Sequence, residues 1–336
     1  MTVDELHAAL RSGQLTPEQS AALTLNEWLT GNVTGTTALH LAAKYGVLPR
    51  LPAGVVTAQS LQLKNASGYT PLHHAALSGH LNQIPIEFLK EGLLSARSNS
   101  GYTVFHVAAA GGHLDQIPPQ LLTLDRIKSP TDLGNTLLHE AAENGALDRF
   151  PRALINAELL ALTNASGETV FHVAALNGNL RQIPAEFLNE SSLLLATSAG
   201  DTVIHAAALS GGLEQIPAAL LTKKHLVLSS RAGYTVIHAA AESGQLAKIP
   251  REVLTAEVLL TRNDHGDTPM HAAASEGHLN QLPPEILDEA LLNTRNYGGI
   301  TPLRIALNRG FAEQIPPALR PKPPSPWNRF LAKLGF

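Results

Sequence analysis

Residues 68–85 read GYTPLHHAALSGHLNQIP, and the chain repeats this wording at a fixed interval for most of its 336 residues. Histidine stands at 40, 73, 106, 139, 172, 205, 238 and 271, each 33 residues after the last. In the same register glycine occupies 35, 68, 101, 134, 167, 200, 233, 266 and 299, with threonine two residues after every one. A second glycine series runs from Gly46 to Gly310, and a proline series from Pro52 to Pro316. Self-similarity at this period specifies a row of units, each covering its neighbour's apolar face.

Inside the unit, Thr70 is placed to cap a helix and Pro71 to occupy its first position. Leu72, Ala75 and Ala76 then fall at i, i+3 and i+4 on one apolar face, and Gly79 supplies the left-handed residue that stops the helix. A second helix is expected from Pro85, turning Phe88 and Leu89 inward. The next position holds Thr57, Lys90, Thr123, Asn156, Asn189, Thr222, Thr255 and Asp288. All but the lysine are good N-caps, which predicts a third, one-turn helix. Linkers rich in Asn, Ser and Gly read as surface turns, and strand signals are weak throughout, so the fold class is all-α.

Counting back 33 residues puts Asp4 where Thr37 stands and His7 where His40 stands. Residues 1–34 are therefore read as an N-terminal capping half-repeat, with Asp4 and Thr16 as N-caps. Residues 35–319 form the array, and 320–336 a tail, proline-rich and then amphipathic.

Composition narrows the function classes. The chain is 44% hydrophobic but only 4% aromatic, which suits close-packed short helices with Leu, Ile, Val and Ala inside. A net charge of −4 without basic runs in the repeats argues against nucleic acid. With no cysteine, disulfides and thiolate metal sites are excluded. The charged opening MTVDELHAALRSGQL lacks the apolar centre of a secretory signal, and no stretch reaches the length of a membrane span. A soluble, cytoplasmic, monomeric protein is expected.

The pattern Thr-x-x-Leu/Phe/Ile-His-x-Ala-Ala-x-x-Gly-x-Leu at a 33-residue period resembles the ankyrin repeat, most closely at Pro71-Leu72-His73 and Pro269-Met270-His271. The resemblance covers about nine copies over residues 35–319. It implies a solenoid of helix pairs used for binding other proteins. Ile-Pro and an extra capped turn stand where that family carries a longer second helix and a glycine-led hairpin finger. Arg304 and Leu307 replace the His and the second Ala in the last copy, as suits a terminal unit.

Fifteen histidines raise the question of chemistry. Nine of them, His7 included, are one position of the repeat, where an imidazole can bond back to the capping threonine. Neighbouring helices stand roughly 8–10 Å apart, too far for equivalent histidines to share one zinc. His80, His113 and His278 follow the second glycine and are expected to be exposed. His265, His271 and His278 form the one local cluster, the basis of an alternative reading as a metal-dependent enzyme. No nucleophile elbow, phosphate loop or His-Glu-x-x-His motif is present. No catalytic residue, cofactor or metal is therefore assigned.

Recognition is expected where exposed positions vary while interior ones repeat. Tyr69, Tyr102 and Tyr234 follow the first glycine, a position that also holds Glu168, Asp201 and Asp267. Lys64, Arg97, Arg262 and Arg295 precede that glycine by four residues, and Asp132, Glu140 and Glu143 lie midway. These residues suggest a concave face, basic and aromatic towards each end and acidic between, that takes a protein or extended peptide. In the tail, Trp327, Phe330, Leu331 and Leu334 fall at helical spacing among Arg320, Lys322, Arg329 and Lys333. Three roles suit it: covering the open end of the last repeat, docking through its prolines, or membrane attachment as an adaptor.

Overall fold

Threonine begins the principal helix of every repeat. Thr37 is extended (φ −91°, ψ 165°), accepts the His40 N–H through its hydroxyl, and opens the helix Ala38–Tyr45. Its equivalents open Pro71–Leu77, Val104–Gly111, Leu137–Glu143, Val170–Leu176, Val203–Leu209, Val236–Glu242, Pro269–Glu276 and Pro302–Arg309. The computed structural model describes residues 1–283 and 285–320, which form two compact units, Met1–Ser198 and Ala199 onward. Within each unit every first helix packs on its sequence neighbour, the arrangement of an α-solenoid. Ala42, Ala75, Ala108, Ala141 and Ala174 are fully buried, so the backbones approach closely. Among the described residues there is no strand, and no helix is long and apolar enough to cross a membrane.

The expected second helix is not α-helical. In the second copy two single 3-10 turns, Leu81–Gln83 and Ile86–Phe88, stand on either side of an extended Pro85 (φ −54°, ψ 133°). Proline has no N–H to give, and too few residues separate it from the next capping position for a helical ladder to start. Leu89 turns inward as expected, while Phe88 is only half-buried. The third helix forms from the second copy on, while the first copy has a 3-10 turn, Ser60–Gln62. Thr123, Asn156, Asn189, Thr255 and Asp288 each accept a backbone N–H from three residues on, and Thr222 does not.

At the N-terminus the cap is Thr2, not Asp4. Thr2 and Glu5 form a reciprocal capping box at the start of Val3–Ser12, and Asp4 lies inside the first turn. Two donors satisfied by one pair outweigh what Asp4 alone could satisfy. His7 thereby loses a threonine partner, and both of its buried ring nitrogens lack a hydrogen bond. Thr16 caps Pro17–Ala22 as expected, and Leu25–Leu29 buries Trp28 completely.

Between repeats the chain makes a tight turn instead of a hairpin finger. Asn65 Oδ1 accepts the N–H groups of Ser67 and Tyr69, both at 3.0 Å, and Asn164 does the same for Ser166 and Glu168. Successive turns are tied by backbone bonds: Ala66 N–H to Thr34 O (2.8 Å), Asn99 to Ser67 (3.0 Å), Ala165 to Leu133 (3.0 Å). Gly134 shows why the turn needs glycine. Its φ is +80°, and an added Cβ would lie 2.7 Å from the Ala165 backbone nitrogen. The expectations for 321–336 fall outside the described residues. Arg320 is described, and it folds onto the last repeat by donating to Ile315 O and Glu313 O, both at 2.8 Å.

Candidate functional site

The repeated histidines have a structural occupation. In all eight copies from His40 to His271, Nδ1 lies 3.0–3.3 Å from the backbone nitrogen of the capping threonine. It also lies 2.7–2.9 Å from that threonine's hydroxyl. A nitrogen receiving a backbone N–H carries no proton, so the proton is on Nε2. In His40, His73, His139, His205, His238 and His271 that Nε2–H donates forward into the next repeat, whereas His106 donates to Ser129 O of its own repeat at 2.9 Å. His40 reaches Tyr69 O, His73 reaches Tyr102 O and His139 reaches Glu168 O, each at 3.1 Å; His238 reaches Asp267 O at 3.0 Å. The expected Thr–His pair is present, and it also clamps one unit to the next. Burial holds His40, His73 and His106 at about 4, against the opposing pull of those carbonyls.

His80 and His278 are half-buried, not exposed. Each brings Nδ1 to 3.2 Å from a carbonyl at the end of the preceding repeat's first helix, Ala43 O and Ala241 O. They satisfy helix C-termini from the neighbouring unit. His113 is half-buried too. The local cluster does not act together: His265 is exposed, His271 caps with Thr268, and His278 is bonded to Ala241. Among the described residues no three His, Asp or Glu side chains gather as a metal site would require.

Among the described residues, the turn and first-helix face carries a cleft in each unit. One, in the first unit, holds about 300 Å³ and is bordered by Tyr102, Asn135, Glu143, Glu168 and Leu176. The other, in the second unit, holds about 290 Å³ and is bordered by Tyr234, Glu242, Asp267, Glu276 and Ile305. The three tyrosines are half-buried, with rings 5.1 Å from His73, 6.2 Å from His106 and 5.2 Å from His238. Burial, together with neighbouring carboxylates, raises all three phenols. Glu140 is the carboxylate that acts on Tyr102, and the Tyr234 hydroxyl bonds Glu242.

Glu140 is the residue whose weight composition hides. Its position in other repeats holds Leu41, His74, Val107, Val173, Ala206, Ala239, Ala272 and Ile305, so it is the one carboxylate in that column. It is 2% exposed and accepts from Asn135 Nδ2 at 3.0 Å. Asn135 Oδ1 accepts in turn from Asn164 Nδ2 (3.1 Å), which also donates to Glu168 (2.8 Å). Burial pushes Glu140 up to about 7, partly offset by the Asn135 bond. A carboxyl raised in the folded state contributes stability below about pH 4.5 and loses it as pH rises through 7. Ionised Glu140 therefore costs the first unit roughly 3 kcal/mol at pH 8. Glu140→Gln is expected to raise the melting temperature at pH 8 and to raise it clearly less at pH 6. Equal gains at both pH values would show that charge is not the cause.

The basic residues are less available than expected. Lys64 Nζ donates to Arg97 O (2.7 Å), Arg97 to Pro130 O and Asp132 (both 3.2 Å), and Arg262 to Gly266 O (2.8 Å) and Arg295 O (2.7 Å). They lace consecutive turns together, while Arg295 is simply exposed. Three exposed leucines were not singled out from the sequence: Leu77 (50%), Leu176 (40%) and Leu209 (42%). They share one first-helix position with Lys44, Ala110, Glu143, Glu242 and Ser275, so aligning the repeats on that column would have found them. Compared with known proteins, the chain matches no family model and no curated protein.

Proposed function

We propose that this chain is a non-enzymatic binding scaffold of the ankyrin-like kind, holding an extended segment of another protein along its turn and first-helix face. One observation carries the reading. Interior columns repeat the same residue from unit to unit, whereas this face alternates exposed leucine, glutamate and half-buried tyrosine. Half-buried tyrosine beside apolar and acidic groups suits the anchor role seen at interfaces. Glu143 and Glu168, which border the first unit's cleft, also support recognition of a cationic group there. The columns at Tyr69, Tyr102, Glu143, Glu168, Asp201, Tyr234 and Asp267 carry the proposed contacts. Lys64, Arg97 and Arg262 serve to hold the turns.

The test is quantitative affinity capture from the native host, with the wild-type chain and Tyr69→Ala/Tyr102→Ala as parallel baits. A partner enriched by the wild type is expected to fall about tenfold or more on the double variant, because truncating an anchor costs ~1–2 kcal/mol or more. Both rings are half-buried against His73 and His106, so the double variant should melt somewhat lower, and capture is compared well below the transition of either bait. Equal recovery on both baits would remove this patch from the reading.

A further inference from the structure

The second cleft has an acidic rim and no Lys or Arg among its bordering residues, and its two histidines, His238 and His271, are held below their ordinary value by burial. Glu242 and Glu276 are exposed, Asp267 is half-buried, and Ile305 and Ala272 supply apolar wall. Leu209, in the same first-helix column as Glu242, is 42% exposed. An occupant complementary to this face is cationic and apolar at once, without acids.

Residues 321–336, PKPPSPWNRFLAKLGF, have that composition. They hold Lys322, Arg329 and Lys333, no Asp or Glu, and Trp327, Phe330, Leu331 and Leu334, in a chain of net −4. The segment follows directly on Arg320, which is fastened to the last repeat of the same unit. Sixteen residues extend to at most about 55 Å. The near wall of the cleft, Ile305, belongs to the last repeat's own first helix, and successive helices stand roughly 8–10 Å apart. Reach is therefore ample.

We infer that residues 321–336 dock in the cleft bordered by Tyr234, Glu242, Asp267 and Glu276, placing tail cations on the acids and tail apolar groups against Ile305 and Leu209. This rests on the scaffold reading, because it makes the tail an internal competitor for the surface that a partner uses. The rival seat is the last repeat itself, where Leu307 is 36% exposed at a position held elsewhere by fully buried alanine. That repeat exposes Arg295, Arg304 and Arg309, so charge disfavours a basic segment there and favours the cleft.

Zero-length carbodiimide coupling of the intact chain tests the inference, with light and heavy isotope preparations mixed to separate coupling within and between copies. Lys322 or Lys333 is expected to couple to Glu242, Asp267 or Glu276 within one copy. In Glu242→Gln/Glu276→Gln, coupling to the remaining Asp267 should fall about fivefold, the change expected from losing two exposed ion contacts. The Lys223–Glu257 pair, 2.5 Å apart, should couple equally in both proteins and serves as the standard. Tail lysines coupled chiefly to Glu313, coupled only between copies, or left uncoupled would overturn the docking. So would an unchanged Asp267 yield in the double variant. None of those results bears on partner capture at Tyr69 and Tyr102, so the two readings fail separately.

Discussion

Acidified from pH 7 to about pH 4.5, the first unit should lose its fold in a cooperative transition that takes up several protons. His40, His73 and His106 are buried neutral, each accepting on Nδ1 and donating from Nε2, and each held at about 4. In the unfolded chain they titrate at the ordinary value near 6.5. A histidine with its folded value depressed contributes stability in full above 6.5 and loses it as pH falls towards 4. Between those limits the unfolded state binds more protons, so stability rises with pH. Each shift is worth roughly 3 kcal/mol, and three together approach the whole stability of a typical domain. His74, edge-on to His40 at 5.5 Å and also held at about 4, adds to the same slope. Denaturant titrations followed by circular dichroism at a series of pH values would measure that slope. An acid transition centred below about pH 3.5, where carboxylates alone would account for it, would contradict the histidine account.

What could be read from the sequence was what local chemistry decides. Thr70 and His73 lie three residues apart, so their capping bond needs no knowledge of the neighbours. The Nε2 half of the same imidazole was not legible, because its acceptor, Tyr102 O, lies 29 residues on and is fixed by how units stack. The proline column was visible, yet its effect was misjudged. Pro85 reads as a helix start, but a missing N–H and the next helix's N-cap position, Lys90, five residues on leave room only for a 3-10 turn. Asp4 was assigned a cap by register alone, and the Thr2–Glu5 box, visible as T-x-x-E, took the position. On the candidate face, Tyr102 and Glu168 were found as variable surface residues. Glu140 gains its character from Tyr102 of the preceding repeat and Asn135 of its own, a juxtaposition that only packing brings about.

Replacing His139 by leucine, its near match in bulk, is expected to cost the first unit about 3 kcal/mol or more at pH 7. His139 is fully buried. Its Nδ1 receives the Thr136 N–H at 3.2 Å and meets the Thr136 hydroxyl at 2.8 Å, and its Nε2–H donates to Glu168 O at 3.1 Å. Leucine fills the space and satisfies neither end. Thr136 N–H, also buried, is left without an acceptor, at about 1–3 kcal/mol, and the lost cap adds roughly 1 kcal/mol. Glu168 O suffers less, because it still accepts the Asn164 N–H at 2.9 Å. His139→Gln separates bonding from bulk. Its carbonyl can receive the Thr136 N–H as Glu5 receives that of Thr2, so the glutamine variant should recover part of the loss. The leucine deficit should also narrow as pH falls below 6.5. Burial lowers the His139 value, so the wild type loses stability with acid that leucine never had. Chemical denaturation of the three proteins at pH 7 and pH 5 reads both effects. If leucine proved as stable as glutamine at pH 7, the clamp between repeats would be a matter of volume, and the hydrogen-bonded imidazole would not be what joins one unit to the next.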